Sequence, residues 1–408
     1  MTLTLDMYAS AGVGVAALLL GMFFTRTIPF LKRFCIPSPV SGGLLVASLT
    51  WLMFSVFGVE TVFDGTLKDL CMILFFTSVG FQCDIKMLRR GGRPLVVMVI
   101  LVLVLIVFQN LISLGIARGL KLDPLVGMAA GSIPMCGGHG TAGGFSPLLE
   151  QMGLKGASSI TMAAATFGLV AGSLIGGPLG EALTRRRSLA EKSAPSDVMT
   201  SIEASAASES AKTGLQSEET AFRRYLTAAC MLMIAMAFGT GISRLLALTG
   251  VTFPTYFGSL IAAFAMRNLL SLSPRLTRSM CVEQIVGIGD ICLQLFLGMA
   301  MASLRLWELA SLALPLALIL TAQVAFMALY GAFVAFPALG GNYDSAVLVS
   351  GLCGFGLGAT PNAMANMSAV CYKYRYAELP FLIVPIIGAM FVDIINTSVI
   401  TLFLNLVR

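Results

Sequence analysis

Ten long apolar segments, almost free of charged residues, constrain this chain more than any other feature of its sequence. An apolar helix of about 20 residues is long enough to cross the hydrocarbon core of a bilayer. By that measure the sequence predicts an all-α integral membrane protein, with the lipid bilayer as its surroundings. The predicted spans are 8–25, 40–58, 67–84, 95–117, 157–180, 225–243, 255–273, 285–304, 309–336 and 378–405.

The composition agrees with a chain that exposes most of its surface to lipid. Of its 408 residues, 57% are hydrophobic and only 11% are charged. The net charge of +6 comes from short basic clusters between the apolar runs, a pattern typical of cytoplasmic loops, so no nucleic-acid partner is predicted. The cysteines form no CxxC pair and the chain has one histidine, so neither a disulfide framework nor a transition-metal site is predicted.

A polar segment divides the chain into two halves of five spans each. Residues 181–224 are rich in Ser, Ala and Glu and predict a flexible linker between residues 1–180 and 225–408. Because five is odd, the two halves must cross the membrane in opposite orientations. Sequence matches at an offset of 221 support an inverted repeat: DLCMILFF at Asp69 matches DICLQLFL at Asp290, and Gly137 matches Gly358.

The distribution of basic residues predicts one orientation in the membrane. With the linker in the cytoplasm, 19 of the 26 lysines and arginines lie on the cytoplasmic side. The positive-inside rule therefore places both termini outside the cytoplasmic membrane.

Two glycine-rich segments, 125–152 and 346–371, are too apolar for aqueous loops and too interrupted for single spans. Each has two apolar arms of about ten residues joined by a glycine turn, which predicts a re-entrant helical hairpin that enters the membrane halfway. Irregular backbone survives at that depth only where it is buried in protein or lines a cavity. At such turns the free N–H groups suit a carboxylate, and the free C=O groups suit a cation such as Na⁺. Alternatively, the glycines serve only close helix packing.

A few polar residues lie deep inside the predicted spans. Asp393, with Asn396 three residues on, predicts a sodium ligand or a partner for a substrate amino group; the alternative is a buried structural acid. Polar side chains that act either as interhelical contacts or as part of a site are Gln109, Asn110, Thr166 and Ser173. Asp123 and Asp344 are predicted helix caps, Asp290 a boundary residue, and His139 a hydrogen-bond donor at a turn.

Several motifs resemble the bacterial glutamate:sodium symporter family. They include GGHGT at 137–141, GFGLGATPNAMANM at 354–367, IPSPVSGGLLVA at 36–47 and NYDSAVLVSG at 342–351. The resemblance covers nearly the whole chain outside the linker. It implies a cytoplasmic-membrane symporter that takes up L-glutamate with Na⁺, built as a homodimer with two inverted domains. It implies neither enzymatic activity nor an organic cofactor.

The resemblance and the buried polar residues together define a predicted site for each solute. The substrate-binding residues are Gly137, Gly138, His139, Gly140, Thr141, Gly356, Gly358, Thr360, Pro361, Asn362 and Asn366. The predicted sodium-binding residues are Asp393, Asn396, Gly354, Thr360, Asn110 and Ser132. The predicted mechanism is alternating access of the elevator type. Alternative functions are a Na⁺- or H⁺-coupled carrier of aspartate or of a di- or tricarboxylate, and a channel with re-entrant pore loops.

Overall fold

The computed structural model describes residues 2–34, 36–85, 92–186, 189, 218–248, 253–273, 280–309 and 312–407. These residues are almost all α-helical, which confirms the predicted helical class. Most of the predicted linker 181–224 lies outside the described residues. The same is true of the loop cations Lys86, Arg89, Arg90, Arg187, Arg275 and Arg278.

The N-terminal half contains nine helices and two short strands among the described residues. They are β1 (Thr2–Leu5), α1 (Met7–Thr27), α2 (Pro29–Arg33), α3 (Ser38–Phe57), β2 (Glu60–Phe63), α4 (Thr66–Gln82), α5 (Gly92–Gly119), α6 (Pro124–Ala129), α7 (Ser132–Met135), α8 (Gly138–Gln151) and α9 (Ala157–Arg186). The parallel pairing of β1 with β2 was not predicted. It forms because α1 begins and α3 ends at the same end of the molecule, which brings two segments with alternating residues together.

The C-terminal half repeats the order of long helices followed by a helical hairpin. Its elements are α10 (Glu218–Ala247), α11 (Phe257–Leu270), α12 (Val282–Ala302), α13 (Leu306–Leu309), α14 (Ala313–Tyr330) with a π-helical turn (Gly331–Ala335), α15 (Phe336–Ala338), α16 (Tyr343–Gly356), α17 (Thr360–Lys373), α18 (Glu378–Ile386) with a second π-helical turn (Ile387–Phe391), and α19 (Val392–Val407). Since α9 extends to Arg186 and α10 begins at Glu218, both ends of the predicted linker belong to helices.

All ten predicted spans coincide with helices, and seven of the helices described are long and apolar enough to cross a membrane. The other three predicted spans are shorter or interrupted. Helix α4 has 17 residues and α11 has 14, and the last predicted span is divided by the π-helical turn into α18 and α19. Apolar composition predicted where these helices lie but not where each unbroken helix ends.

Two predicted helix caps had different outcomes. The Asp123 side chain accepts a hydrogen bond from the Leu125 N–H, and Pro124 occupies the first turn of α6, so that prediction is confirmed. The prediction for Asp344 is wrong. Asn342 caps α16 in a reciprocal pair with Ser345, and Asp344 lies within the first turn. An Asn side chain accepts from the same N–H group as an Asp would, so composition alone did not distinguish the two positions.

The helices group into two bodies. The panel consists of α1, α3, α4, α10, α11 and α12, and the bundle consists of α5–α9 and α14–α19. The end of the molecule that carries β1 and β2 is called here the strand end. The opposite end, where α9 ends and α10 begins, is called the linker end. An ion pair between Arg267 and Asp84 (3.1 Å) joins α11 to the residues after α4 at the linker end.

The seam between panel and bundle is made of glycines against aromatic rings. Three glycines of α8, which belongs to the bundle, lie against three aromatic residues of the panel. The pairs are Gly140 with Phe75, Gly143 with Phe296, and Gly144 with Tyr256. The Tyr256 ring also stacks on Phe76 at a centroid distance of 3.7 Å. A glycine-lined helix face lets flat rings approach the backbone closely, so the seam is tight although it carries few hydrogen bonds.

Candidate functional site

The segment called here hairpin 1 consists of α6, α7 and α8, and Cys136 and Gly137 separate α7 from α8. Gly138, the first residue of α8, has a φ of +59°, which residues with a Cβ rarely adopt. A second break separates α6 from α7 just before Ser132. The predicted hairpin 125–152 is therefore helix, break, short helix, turn and helix.

Hairpin 2 is formed by α16 and α17, with residues 357–359 as its turn. Ala359 is extended, and Pro361 occupies the first turn of α17, where its missing N–H is not needed. A Cβ added at Gly138 would lie 2.8 Å from the carbonyl oxygen of Gly358. The two turns therefore touch, and their glycines permit that approach.

The break in hairpin 1 is held by amide side chains from two other helices. The Ser132 N–H donates to Oδ1 of Asn110 on α5 (2.9 Å). The Ser132 carbonyl accepts from Nδ2 of Asn396 on α19 (3.1 Å). The N–H group at the break is thus satisfied by a side chain, as burial away from water requires, and the carbonyl gains a donor besides the N–H groups of Cys136 and Gly137.

Hairpin 2 is held in the same manner. Nε2 of Gln109 donates to the carbonyl of Gly356 at the last turn of α16 (2.7 Å), and Nε2 of Gln323 donates to the Gln109 carbonyl (2.7 Å). Beyond the turn, Nδ2 of Asn362 donates to the Leu169 carbonyl on α9 (2.7 Å). These bonds connect the end of one arm of the hairpin to α5 and the start of the other arm to α9.

Several oxygens around the two turns are buried and unpaired. Within the described part of the chain, no hydrogen-bond partner exists for Ser132 Oγ, Thr141 Oγ1, Asn362 Oδ1 or Asn396 Oδ1. A buried oxygen without a donor is costly, and a cation that coordinates it removes the cost. Hydroxyl and amide oxygens are also ligands that hard cations accept. The four oxygens therefore mark the region as suited to a cation.

A cavity of about 340 Å³ lies where the turns meet and is called here the tip cavity. The bundle wall includes His139, Thr360 and Asp393 together with the glycines of both turns. The panel wall consists of Phe75, Val79 and Gln82 from α4 and of Asp290, Leu293, Gln294 and Leu297 from α12. Gln82 ends α4 at the linker end, so the cavity extends towards that end. The lining contains two carboxylates and no lysine or arginine among the described residues.

Asp393 and His139 are the two ionisable groups on the bundle wall of the tip cavity. The Thr141 hydroxyl lies beside the Asp393 carboxyl, which is half-buried at the start of α19. Nε2 of His139 lies 3.0 Å from the Thr166 hydroxyl on α9. The predicted hydrogen bond of His139 is therefore present, with Thr166 as its partner.

The structure brings some of the predicted site residues into the tip cavity and leaves others behind its wall. The predicted residues that line the cavity are Gly137, Gly138, His139, Gly140, Gly358, Thr360, Pro361 and Asp393. Those outside the lining are Ser132, Thr141, Gly354, Gly356, Asn110, Asn362, Asn366 and Asn396. Of the second group, Gly354 packs on Ala363 of the other arm, and Gly356 lies against Leu105 and Met327. Asn366 donates to the Gly172 carbonyl on α9.

The panel wall contains polar residues that the sequence analysis did not identify as part of the site. Asp290 was predicted to be a boundary residue, yet it is the ninth residue of α12 and lines the tip cavity. Gln294 lies one helical turn further on the same face. The spacing of Asp290, Leu293, Gln294 and Leu297 is the sequence signal that could have identified this wall.

Comparison with known proteins identifies relatives along nearly the whole chain. The sequence model of a protein family described as "Sodium/glutamate symporter" matches residues 3–376. The sodium/glutamate symporter of Escherichia coli (strain K12) is 41% identical over 404 residues, which cover 98% of each chain. The sodium/glutamate symporter of Haemophilus influenzae is 36% identical over 406 residues, covering 98% of this chain and 97% of its own.

Among solved structures, the sodium proton antiporter MjNhaP1 from Methanocaldococcus jannaschii aligns over 99% of this chain and 98% of its own. The sequence identity is 16% and the TM-score is 0.43. A score of this size does not establish a shared fold.

We predict that Gly138→Ala destabilises the protein because the new Cβ would both strain the backbone and press on the Gly358 carbonyl. Gly58→Ala is a matched control, since Gly58 has a similar φ of +63° but no atom within 4 Å of an added Cβ. The free energy of unfolding in detergent should fall by about 1–3 kcal/mol more for Gly138→Ala than for the control. Equal losses in the two variants would mean that the two turns are not in contact.

Proposed function

The chain belongs to the sodium/glutamate symporter family, and on that premise we propose that L-glutamate and Na⁺ bind at the tip cavity and cross the membrane by alternating access. The protein is a membrane transporter that couples the movement of glutamate to that of sodium, and it is not an enzyme. The contact between the two hairpin turns carries the assignment of the site. It brings free main-chain groups and Asp393 together at one cavity, and several unpaired oxygens lie behind its wall.

Main-chain N–H groups at the turns would hold the carboxylates of the substrate. The lining offers no lysine or arginine, so the first residues of α8 and α17 are the available donors. A helix N-terminus carries partial positive charge and unpaired N–H groups, which favour an anion. His139 and Thr360 add side-chain groups that orient the ligand, and Asp393 or Asp290 is available to its ammonium group.

Sodium would bind behind this wall, between hairpin 1 and α19. The candidate ligands are the Asp393 carboxylate, Thr141 Oγ1, Ser132 Oγ and Asn396 Oδ1, of which the last three are unpaired. Asn110 uses its Oδ1 to hold the Ser132 N–H, so we assign it a positioning role. A second ion near Thr360 and the Gly354 carbonyl is part of the same proposal.

An inverted repeat would provide the two states of the carrier. Thr141 of hairpin 1 and Asn362 of hairpin 2 are 221 residues apart, which is the offset of the repeat. Each residue contacts the long helix that follows the other hairpin. Thr141 lies beside Asp393 on α19, and Asn362 binds the Leu169 carbonyl on α9. Asp393 and Leu169 are themselves 224 residues apart, so the two contacts correspond. In this scheme the bundle moves against the panel, and the panel forms the homodimer contact.

The proposed location is the bacterial cytoplasmic membrane, with both termini outside and the linker inside. In that orientation the strand end faces outwards and the tip cavity opens towards the cytoplasm. The outer side is closed where the Arg305 N–H donates to the Ser159 hydroxyl (3.1 Å) and that hydroxyl lies 3.2 Å from the Arg305 carbonyl. Glutamate has a net negative charge, so entry against a negative-inside potential costs about 2.3 kcal/mol per 100 mV. Coupling to more than one Na⁺ reverses that cost.

Glutamate binding should depend on Na⁺ even without a membrane potential. At an effective dielectric of about 20, a unit charge about 8 Å from another contributes about 2 kcal/mol, or roughly 30-fold in affinity. Replacing Na⁺ by K⁺ should weaken glutamate binding to the purified protein by about that factor, as measured by calorimetry. Uptake into liposomes should likewise stop without Na⁺, and unaltered uptake in K⁺ would contradict the coupling.

Competition by unlabelled acids tests the substrate in the same liposomes. L-glutamate should displace labelled L-glutamate at lower concentration than aspartate or tricarboxylates do. The reason is that the turns and the rest of the tip-cavity lining fix the distance between the two carboxylates of a bound substrate. If another dicarboxylate displaced labelled glutamate more strongly, that acid would be assigned as the substrate, and the assigned fold and sodium coupling would stand.

We predict that Asp393→Asn raises the Na⁺ concentration needed for half-maximal uptake by at least about tenfold, since one formal charge at the ion is lost. Asp344→Asn is the control, because Asp344 is a carboxylate of the same bundle that lies outside the tip cavity. Unfolding in detergent establishes that both variants are folded. A Na⁺ dependence of Asp393→Asn equal to that of the control would limit Asp393 to a structural role.

A further inference from the structure

A second cavity, of about 570 Å³, lies at the strand end of the seam, and both bodies contribute to its walls. The panel supplies Lys68 at the start of α4 and Arg305 after α12. The bundle supplies Glu150 at the end of hairpin 1 and Lys155 before α9. This strand-end cavity is distinct from the tip cavity, and no residue lines both.

The charges of the two cavities differ. Three basic residues line the strand-end cavity together with two acidic ones, Glu150 and Glu308, whereas no basic residue lines the tip cavity in the part of the chain that is described. Arg305 is paired with Glu60 (3.0 Å) and with Glu308 (3.6 Å). Lys68 and Lys155 form no ion pair with any described residue. Two ammonium groups thus remain available to an anion.

A narrow crevice continues from this cavity along the seam. It shares Lys68, Glu150 and Ser158 with the strand-end cavity and is otherwise lined by residues that include Gly143, Phe296 and Ala300. The Phe296 ring lies directly against Gly143 and closes the crevice.

The offset of the sequence repeat relates this crevice to the tip cavity. Subtracting 221 from Phe296 and Ala300 gives Phe75 and Val79, which line the panel wall of the tip cavity. The crevice therefore corresponds to the tip cavity in the other half of the repeat. If the bundle moved towards the strand end, a path for the solute would open at this crevice.

We infer that the strand-end cavity is an outer binding site for the substrate anion, in which Lys68 and Lys155 hold a carboxylate before Phe296 moves away from Gly143. This inference depends on the proposed function and adds the place where an acidic amino acid first binds. A cleft with unpaired cations raises the local concentration of an anion and its rate of entry. The tip cavity has no such groups, so it releases the anion more readily to the other side.

Uptake kinetics of Lys68→Gln, Lys155→Gln and the double variant test the inference. The KM for external glutamate should rise by roughly two- to tenfold with little change in kcat, because capture and not translocation is impaired. The Na⁺ concentration is kept constant while choline chloride is varied. The difference in KM between the variants and the unaltered protein should shrink as the Debye length falls from about 30 Å at 0.01 M to about 3 Å at 1 M salt.

Arg244→Gln is the matched control, since Arg244 is an exposed arginine of α10 near the strand end and outside the cavity. The charge-preserving variants Lys68→Arg and Lys155→Arg should keep the wild-type KM and thereby exclude misfolding. A KM for the double variant equal to that of Arg244→Gln at all salt concentrations would overturn the outer site. Absence of Na⁺-dependent glutamate uptake by the unaltered protein would instead overturn the proposed function.

Discussion

The arrangement of the whole molecule depends on how it satisfies main-chain groups where helices are broken in its interior. A break without partners would cost several kcal/mol in a lipid or protein environment. Ser132 avoids that cost because Asn110 accepts a hydrogen bond from its N–H, and Asn396 adds a donor to its carbonyl from a second helix. At hairpin 2, Gln109 donates to the Gly356 carbonyl, and Asn362 of the hairpin itself donates to the Leu169 carbonyl on α9. The hairpin turns are consequently fixed with respect to α5, α9 and α19, and a cavity with defined chemistry can form between them.

The two cavities along the seam differ in the charges that they present to a solute. The tip cavity combines carboxylates with main-chain donors, so an anion is stable there only together with cations. The strand-end cavity also contains two carboxylates, but its lysines form no ion pair with any described residue, and in the proposed scheme they attract an anion without a bound cation. A carrier with this difference favours capture of the anion on one side of the membrane and release on the other. The direction of transport still follows from the ion gradient.

Much of the fold could be predicted from the sequence because lipid leaves few alternatives. Apolar length located all ten helical segments, and the glycines located the helix breaks at 136–137 and 357–359. Asp393 was identified by its depth in an apolar segment. The spacing of Asp290, Leu293, Gln294 and Leu297 indicates one helix face, but which cavity that face lines depends on how α12 packs against hairpin 1. The sequence also could not predict the pairing of β1 with β2, which depends on the two segments lying together in three dimensions. The cap at Asn342 is a local contact with Ser345, and composition alone did not distinguish Asn342 from Asp344.

The glycine and aromatic contacts along α8 have a consequence for the energy landscape of the molecule. Hydrogen bonds are directional, and a seam rich in them would have a few deep minima separated by high barriers. Ring faces on a glycine surface lose contact gradually as the surfaces slide, so the intermediate positions differ little in energy. In the proposed mechanism the deep minima would come from the ends of the movement, where groups such as Ser159 and Arg305 form hydrogen bonds. The lifetime of such terminal contacts, and not friction along the way, would set the turnover rate.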